Sequence, residues 1–356
     1  MAKISKLVKR AVVKEQQEQQ ECADLREERR ERVKRAEVQS LRKVIDAQEE
    51  EIERLNKIVD LSYLLKDSAM AHKPLSVGKS KSNSAIPIFI WSDWHVEEYV
   101  DRRKTLGKNE FDLEICEARV NTCVRSTVKM IRHIRESSKV DSVFLFLGGD
   151  FITGDIHQEL VETNCLGPAE ATVFARKLIA SGIATIAEES YLKKIRIACA
   201  VGNHGRTTKK MQFKNGTEKS FETIIYAELA SEFNSSRFEW EISKGGVGMS
   251  WLTSDFGIRT AHGHQIRYAG GIGGLTIPLT KWIHRQDQTM AAGFNLIGHH
   301  HQYGLPTNRC LGNGSLIGWT EYAAENGFSY EPPQQAGCIF DVTRNRVTGV
   351  FPVFCE

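Results

Sequence analysis

The stretch Ile86-Pro-Ile-Phe-Ile-Trp-Ser-Asp-Trp-His95 constrains this chain more than any other. A short apolar run rich in Ile and Phe predicts a buried strand. Asp93 and His95 follow where the strand gives way to a loop. Residues i and i+2 of a strand point to the same side, so a carboxylate and an imidazole can converge there. Both are ordinary ligands of a borderline metal ion. Taken alone, Asp-x-His reads equally as a helix cap followed by a surface histidine. The rest of the chain decides between the two.

The same arrangement recurs downstream. Phe111 to Glu136 has helical spacing at Ile115, Val120, Val124, Val128 and Ile131. A second apolar strand, Val140 to Leu147, ends in Gly148-Gly149-Asp150. A helical stretch, Glu170 to Leu192, leads to a third strand, Ile195 to Val201, ending in Gly202-Asn203-His204-Gly205-Arg206. Alternating strands and helices predict an α/β domain. Open α/β sheets place ligands at the C-terminal ends of their strands, which is where these polar residues fall. After residue 235 come a strand at Phe238 to Ile242 and a hairpin from Met249 to Ala261 that turns near Asp255-Phe-Gly257 and ends in His262-Gly263-His264. A glycine-rich loop (Gly270, Gly271, Gly273, Gly274) precedes a helix around Leu279 to Met290. The strand Phe294 to Ile297 then ends in Gly298-His299-His300-His301, and Gly337 to Val342 and Val347 to Phe354 read as later strands.

Five strand ends therefore carry Asp93 and His95, Asp150, Asn203 and His204, His262, and His299 and His301. The donors are oxygen and imidazole with no thiolate, a set suited to two neighbouring divalent ions. Mn²⁺ is the first choice, with Fe, Zn²⁺ or Ni²⁺ as alternatives. A carboxylate shared by two ions holds them about 3.5–4 Å apart.

The first 84 residues are of a different kind. Residues 1–66 form a charged arm without Gly or Pro, rich in Glu, Gln, Arg, Lys and Leu, and predict one long helix. From Val38 a heptad places Val38, Ile45, Ile52 and Val59 at one seam position and Leu41, Gln48, Leu55 and Ser62 at the other. β-branched residues at the first and Leu at the second favour a two-stranded parallel coiled coil. The alternative is an amphipathic helix folded back on the rest of the chain. Either way the arm reads as an attachment device, for a second copy or for a partner protein. Residues 67–84, rich in Ser, Lys and Gly, read as a linker, and 85–356 as the catalytic domain.

Composition narrows the class. The net charge is +3, but residues 1–84 hold 19 Lys/Arg against 15 Asp/Glu, so the remainder is close to neutral. That gives no overall pull toward a polyanion. The eight cysteines form no C-x-x-C pair and read as reduced, buried core thiols of a cytoplasmic protein. No apolar stretch approaches the roughly 18 residues a membrane span needs. The Asn-x-Ser/Thr triplets at Asn215, Asn234 and Asn313 then read as chance.

In this order, S-D-W-H, G-G-D-F-I-T-G-D, V-G-N-H-G, A-H-G-H and I-G-H-H-H resemble the motifs of the calcineurin-like metallophosphoesterase superfamily. L-G-N-G-S at Leu311 to Ser315 is similar to the N-x-G-S that often follows them. The resemblance covers roughly residues 85 to 320 and looks nearest to the DNA-repair exonuclease and phage-type phosphoesterase branch. It implies a four-layer αββα sandwich, two mixed sheets flanked by helices. It implies a first ion on Asp93, His95, Asp150 and His301, and a second on Asp150, Asn203, His262 and His299. His204 would stand beside the scissile phosphate, and a hydroxide bridging the ions would attack phosphorus. His264 and His300 would not be ligands.

The sequence departs from the family pattern in two places. Gly205 and Arg206 follow G-N-H where Asp or Glu is usual, and Thr153 stands where an acid or Asn often follows the second motif. Asp155 is then the candidate to orient His204. Arg206 either clamps a phosphate oxygen or is a solvated loop arginine. The substrate is a phosphoester. One reading is a phosphodiesterase or nuclease acting on DNA, supported by the local cluster Arg206, Lys209, Lys210 and Lys214. Another is a phosphatase or phosphodiesterase of small phosphorylated molecules or cyclic nucleotides, with the Gly270–Gly274 loop, Tyr268, Trp282 and Tyr303 shaping a pocket. A third, of another class, is a scaffold with a vestigial metal site.

Overall fold

A computed structural model describes residues 2–69, 83–268 and 274–356. The chain divides into two compact units, Met1–Lys79 and Ser80–Glu356.

In the first unit a single helix, α1, runs from Ala2 to Ala69. It contains neither Gly nor Pro, and charged pairs one turn apart line its surface, Lys57–Glu53 at 2.9 Å and Lys14–Glu18 at 3.7 Å among them. Each such pair supports a helix by about 0.2–0.5 kcal/mol. Val38, Leu41, Ile45, Ile52 and Leu55 lie along it about half exposed. The helix continues three residues past the expected end of the arm. Residues 70–82 of the expected linker lie outside the described residues. Its last two positions belong to the second unit instead: Asn83 O accepts from Lys139 N at 2.8 Å and Ser84 O from Val342 N at 2.9 Å.

The second unit follows the order β1 (Ala85–Trp91), α2 (Leu113–Ser137), β2 (Ser142–Leu147), α3 (Gln158–Thr163), α4 (Pro168–Glu189), β3 (Lys194–Cys199), α5 (Phe221–Glu232), β4 (Phe238–Ile242), β5 (Val247–Trp251), β6 (Gly257–Ala261), α6 (Thr276–Asp287), β7 (Phe294–Ile297), β8 (Gly304–Thr307), β9 (Cys310–Gly312), α7 (Glu321–Glu325), β10 (Gln334–Asp341) and β11 (Arg346–Phe354). Among the described residues they form two mixed sheets, ordered β11-β10-β1-β2-β3-β4 and β5-β6-β7-β9-β8. Strands β1 to β4 are parallel, as are β6, β7 and β9.

The alternation within β1 shows how the layers stack. Ile86, Ile88 and Ile90 face one apolar cluster together with Phe144 and Phe146 of β2 and with Ile258, Phe294, Leu296 and Leu311 of the second sheet. Phe89 and Trp91 face the other way, into a cluster with Val120, Val124 and Val128 of α2 and Ile179 and Ile183 of α4. Every residue of β1 is buried, which is why its sequence is a continuous apolar run rather than an alternating one. On the far side of the second sheet, Leu279 and Ile283 of α6 pack on Ile297 and Cys310. The result is an α/β unit of two mixed sheets flanked by helices. No helix among the described residues is long and apolar enough to cross a membrane.

α3 and α5 were not anticipated from the sequence. The β3-to-β4 connection contains a twelve-residue helix, started by Ser220, whose side chain accepts from Glu222 N. The cysteines divide differently from the expectation: Cys22 and Cys165 are exposed and the other six buried, and among the described residues none is paired.

Candidate metal centre

The loops after β1, β2, β3, β6 and β7 meet at one edge of the two sheets. Asp93 N donates to Gly149 O at 2.9 Å, Trp94 N to Asp150 O at 2.9 Å, and Gly298 N to His262 O at 2.7 Å. Two further bonds run between the sheets. His299 N donates to both Asp93 oxygens, at 3.0 and 3.1 Å, and the His262 ring faces Gly148 O through Nδ1 at 2.7 Å. His262 after β6 and His299 after β7 are thereby fixed to the loops of β2 and β1.

The backbone at these positions is unusual. Asp93, His95, Asp150, His299 and His301 all have positive φ, between 50° and 69°. Left-handed backbone is sparsely populated for L-residues, though Asp and His tolerate it better than most. Its gathering at one edge marks places where tight loops hold side chains in fixed directions. Close approach accompanies it. A Cβ on Gly202 would lie 1.9 Å from Asp150 Oδ1, so only glycine lets the β3 loop pass over that carboxylate.

Three sets of side chains bring ligand atoms within 4.8 Å of one another: Asp93, His95 and His301; His95, Asp150 and His204; and Asp150, His262 and His299. His262 Nε2 lies 2.8 Å from Asp150 Oδ2, and His301 Nε2 lies 3.4 Å from Asp93 Oδ1. His95 Nε2 and Asn203 Oδ1 are buried and lack a hydrogen-bond partner. Buried polar atoms are normally satisfied. Two unsatisfied ones at the same strand ends, beside two buried carboxylates, are what a cation would complete. The His95 and His262 rings are held from behind, as a metal-ligating histidine is. A carbonyl can only accept, so His262 Nδ1 carries a proton and Nε2 is turned toward Asp150. Thr153 Oγ1 donates to Glu98 at 3.2 Å and stands 3.1 Å from His95 Nδ1, leaving His95 Nε2 toward the centre. The residues present therefore fit divalent metal ions.

The electrostatics follow from burial and proximity. Burial raises the Asp150 carboxyl, but the His262 and His204 charges outweigh it and hold it well below the usual range. Burial lowers His262, and Asp150 pushes it up by more. Burial, then His204 and His301, press His95 down, and burial with the His262 charge takes His299 down to about 2. Neutral imidazoles and ionised carboxylates are the forms that ligate, which suits Asp150, His95 and His299, whereas His262, pushed up to about 10, would release a proton to an ion.

All seven expected ligands, Asp93, His95, Asp150, Asn203, His262, His299 and His301, thus gather at this edge, with His204 beside them. His204 N donates to Asp150 Oδ1 at 2.8 Å. Its orientation corrects an expectation. His204 Nδ1 stands 3.0 Å from Thr153 O, so a backbone carbonyl orients it, while Asp155 is exposed and makes no hydrogen bond to it. Thr153 thus holds two histidines, one through each of its oxygens. Arg206 is a brace for its own loop: Nη1 donates to Asn203 O at 2.6 Å and Nε to Thr208 O at 3.2 Å. Of the aromatics named for a pocket, Trp282 packs in the core under α6 and Tyr303 against the core between the sheets, while residues 269–273 of the glycine-rich loop lie outside the described residues.

Two supports escaped the sequence reading. Glu222 of α5 is fully buried and accepts from Phe151 N at 2.8 Å and Gly202 N at 2.7 Å, tying together the loops that carry Asp150 and Asn203. A Cβ on Gly205 would stand 2.9 Å from Glu222 Cγ, so a carboxylate reaches the space beside position 205 from a neighbouring helix. The S-F-E run at its N-terminus signals a helix start, but nothing in it points to the loops above. Glu97, also fully buried, accepts from Thr153 N and Gly154 N, both at 2.8 Å, and burial pushes its carboxyl up to about 7. Asn313, in the L-G-N-G-S run, donates to Ser92 Oγ at 2.8 Å and accepts from Ala336 N at 2.7 Å; Ser92 in turn hydrogen-bonds Asp93. A search of protein-family models finds no match to this chain, and a search of curated proteins finds none either.

Proposed function

We propose that the chain is a metal-dependent hydrolase of phosphoesters, built on a metallophosphoesterase-type αββα sandwich. Two divalent ions would be held at the β-strand edge, one by Asp93, His95, Asp150 and His301 and the other by Asp150, Asn203, His262 and His299. The observation that carries this reading is the convergence of two histidine–carboxylate groups on Asp150, with buried ligand atoms that no protein group satisfies. Mn²⁺ is the first choice of ion for this oxygen and nitrogen donor set. Bound there, such ions would activate water and neutralise the charge that develops on phosphorus oxygens.

The protein's own contribution is positional. The Asp93 and Asp150 loops fix the carboxylates through left-handed backbone, and Thr153 sets the rotation of His95 and His204. With Nδ1–H given to Thr153 O, His204 has only Nε2 to exchange a proton with a leaving oxygen. Arg206 Nη2 has no carbonyl partner among the described residues and is the donor left for a phosphate oxygen. A substrate phosphodiester, nucleic acid foremost, is the class the reading favours. The arm would serve to pair the chain with a second copy.

The experiment is hydrolysis with added Mn²⁺ of a bis-aryl phosphodiester, an aryl monoester and linear DNA. Diester turnover is expected. Turnover of the monoester alone would remove the nuclease reading, and no turnover of any substrate with Mn²⁺, Fe²⁺, Zn²⁺ or Ni²⁺ would favour the scaffold.

A further inference from the structure

The segment 205–219 leaves the centre directly after Asn203 and His204 and returns through Ser220 into α5. Its root is fixed. Arg206 and Ser220 pair as an antiparallel bridge, Thr207 N donates to Lys219 O at 2.9 Å, and Phe221 N donates to Gly205 O at 2.8 Å. Its tip is solvent-facing. Lys209, Lys210, Lys214 and Lys219 are exposed, and between them Phe213 is 87% exposed, more than any other large hydrophobic side chain among the described residues. Met211 beside it is 40% exposed. The segment carries five Lys/Arg against the single acid Glu218, whereas the rest of residues 85–356 carries 24 against 29. The positive charge of this unit is thus concentrated on one loop rooted at the metal centre.

We infer that this loop is a binding surface for single-stranded nucleic acid. The lysines neutralise successive phosphates. Phe213 offers a ring on which an unpaired base stacks, a contact that every base can make and that a base inside a duplex cannot. An anionic bilayer could also receive lysines flanking a phenylalanine. The strand is favoured because the loop springs from Asn203 and His204, so a chain of phosphates lying along it is led to the centre. The inference rests on the phosphoesterase reading for what happens to the strand once bound.

The test is fluorescence anisotropy on the full-length, metal-loaded chain. Three probes are compared: a labelled single strand with phosphorothioate linkages to resist cutting, its duplex, and vesicles of anionic phospholipid. Wild type is expected to prefer the strand, and Phe213→Ala to bind it at least about fivefold more weakly, as loss of one base–aromatic stack requires. A Lys209→Glu/Lys210→Glu/Lys214→Glu variant is expected to flatten the salt dependence of strand binding. Both variants should keep wild-type hydrolysis of the bis-aryl phosphodiester, which reports that the fold and centre are intact. Equal affinity for strand and duplex, undiminished strand binding by Phe213→Ala, or binding to vesicles and not to the strand would each overturn the inference. If the strand is bound as expected but no bis-aryl diester is cut, the phosphoesterase reading falls and the binding surface stands. If the diester is cut and the strand is not bound, only the surface falls.

Discussion

Thr153 holds His95 with its hydroxyl and His204 with its carbonyl, and the two roles can be separated by one substitution. Thr153→Val removes the hydroxyl and keeps the carbonyl. Metal affinity, read by titration calorimetry, should fall about 10–100-fold, the usual consequence of losing the group behind a ligating imidazole. An unchanged affinity would mean that packing alone fixes His95. Glu222→Gln should weaken metal binding over a similar range: an amide offers one acceptor and one donor to two backbone N–H groups, so either Phe151 N or Gly202 N loses its partner. The fold should survive, since no side-chain volume is lost, and circular dichroism would show it. His204→Ala and Asp150→Asn should diverge. The first should keep its metal content by elemental analysis and lose about 10²–10⁴-fold in turnover, the range for a positioned proton-exchange group. The second should lose both metal and activity, because Asp150 faces ligands on either side. Equal metal content in the two variants would contradict the division of roles.

Among the elements, the second sheet depends on a buried charge. Arg259 of β6 is 2% exposed and donates to Asn295 Oδ1 and Asp287 Oδ1, both at 2.8 Å, and to Met290 O. It ties β6 and β7 to the end of α6. Burial raises the Asp287 carboxyl, but the hydrogen bond from Arg259 and others lower it by more. A carboxyl with a depressed pKa contributes its full stability above its unfolded value of about 3.9, and the contribution disappears as pH falls through the folded value below that. Arg259→Met removes one partner of the pair and should cost about 3–5 kcal/mol near neutral pH, because Asp287 and Asn295 are left without it. Thermal melting of the variant would measure this, and the deficit should shrink in strong acid. Arg309 Nη2, 2.9 Å from Asp287 Oδ2, offsets part of the loss.

At the scale of the whole chain, the arm and the α/β unit are two compact units. Deleting residues 1–66 should leave hydrolysis of a small diester unchanged, since every ligand lies beyond residue 92. It should also lower the mass in solution by more than the arm's own mass, because Val38, Leu41, Ile45, Ile52 and Leu55 leave an apolar stripe about half exposed on the single helix. Light scattering on both forms decides. A full-length chain that runs as a monomer would contradict the pairing.

What the sequence determined by itself is local. Hydrophobic period and strand-end residues placed β1, β2, β3, β6 and β7 within a few residues and picked out the seven candidate ligands that the fold gathers at one edge, because apolar runs that stop at Asp, Asn or His carry both signals in one stretch. The supports were set by tertiary structure. Glu222 meets Gly202 across 20 residues and Thr153 meets His204 across 51, and no spacing rule encodes such contacts. Asp155 is the next acid after Asp150 in the chain, but the fold turns it to solvent and presents a carbonyl to His204 in its place. A carbonyl belongs to every residue and so leaves no mark in a sequence. Only the path of the backbone decides which carbonyl faces an imidazole.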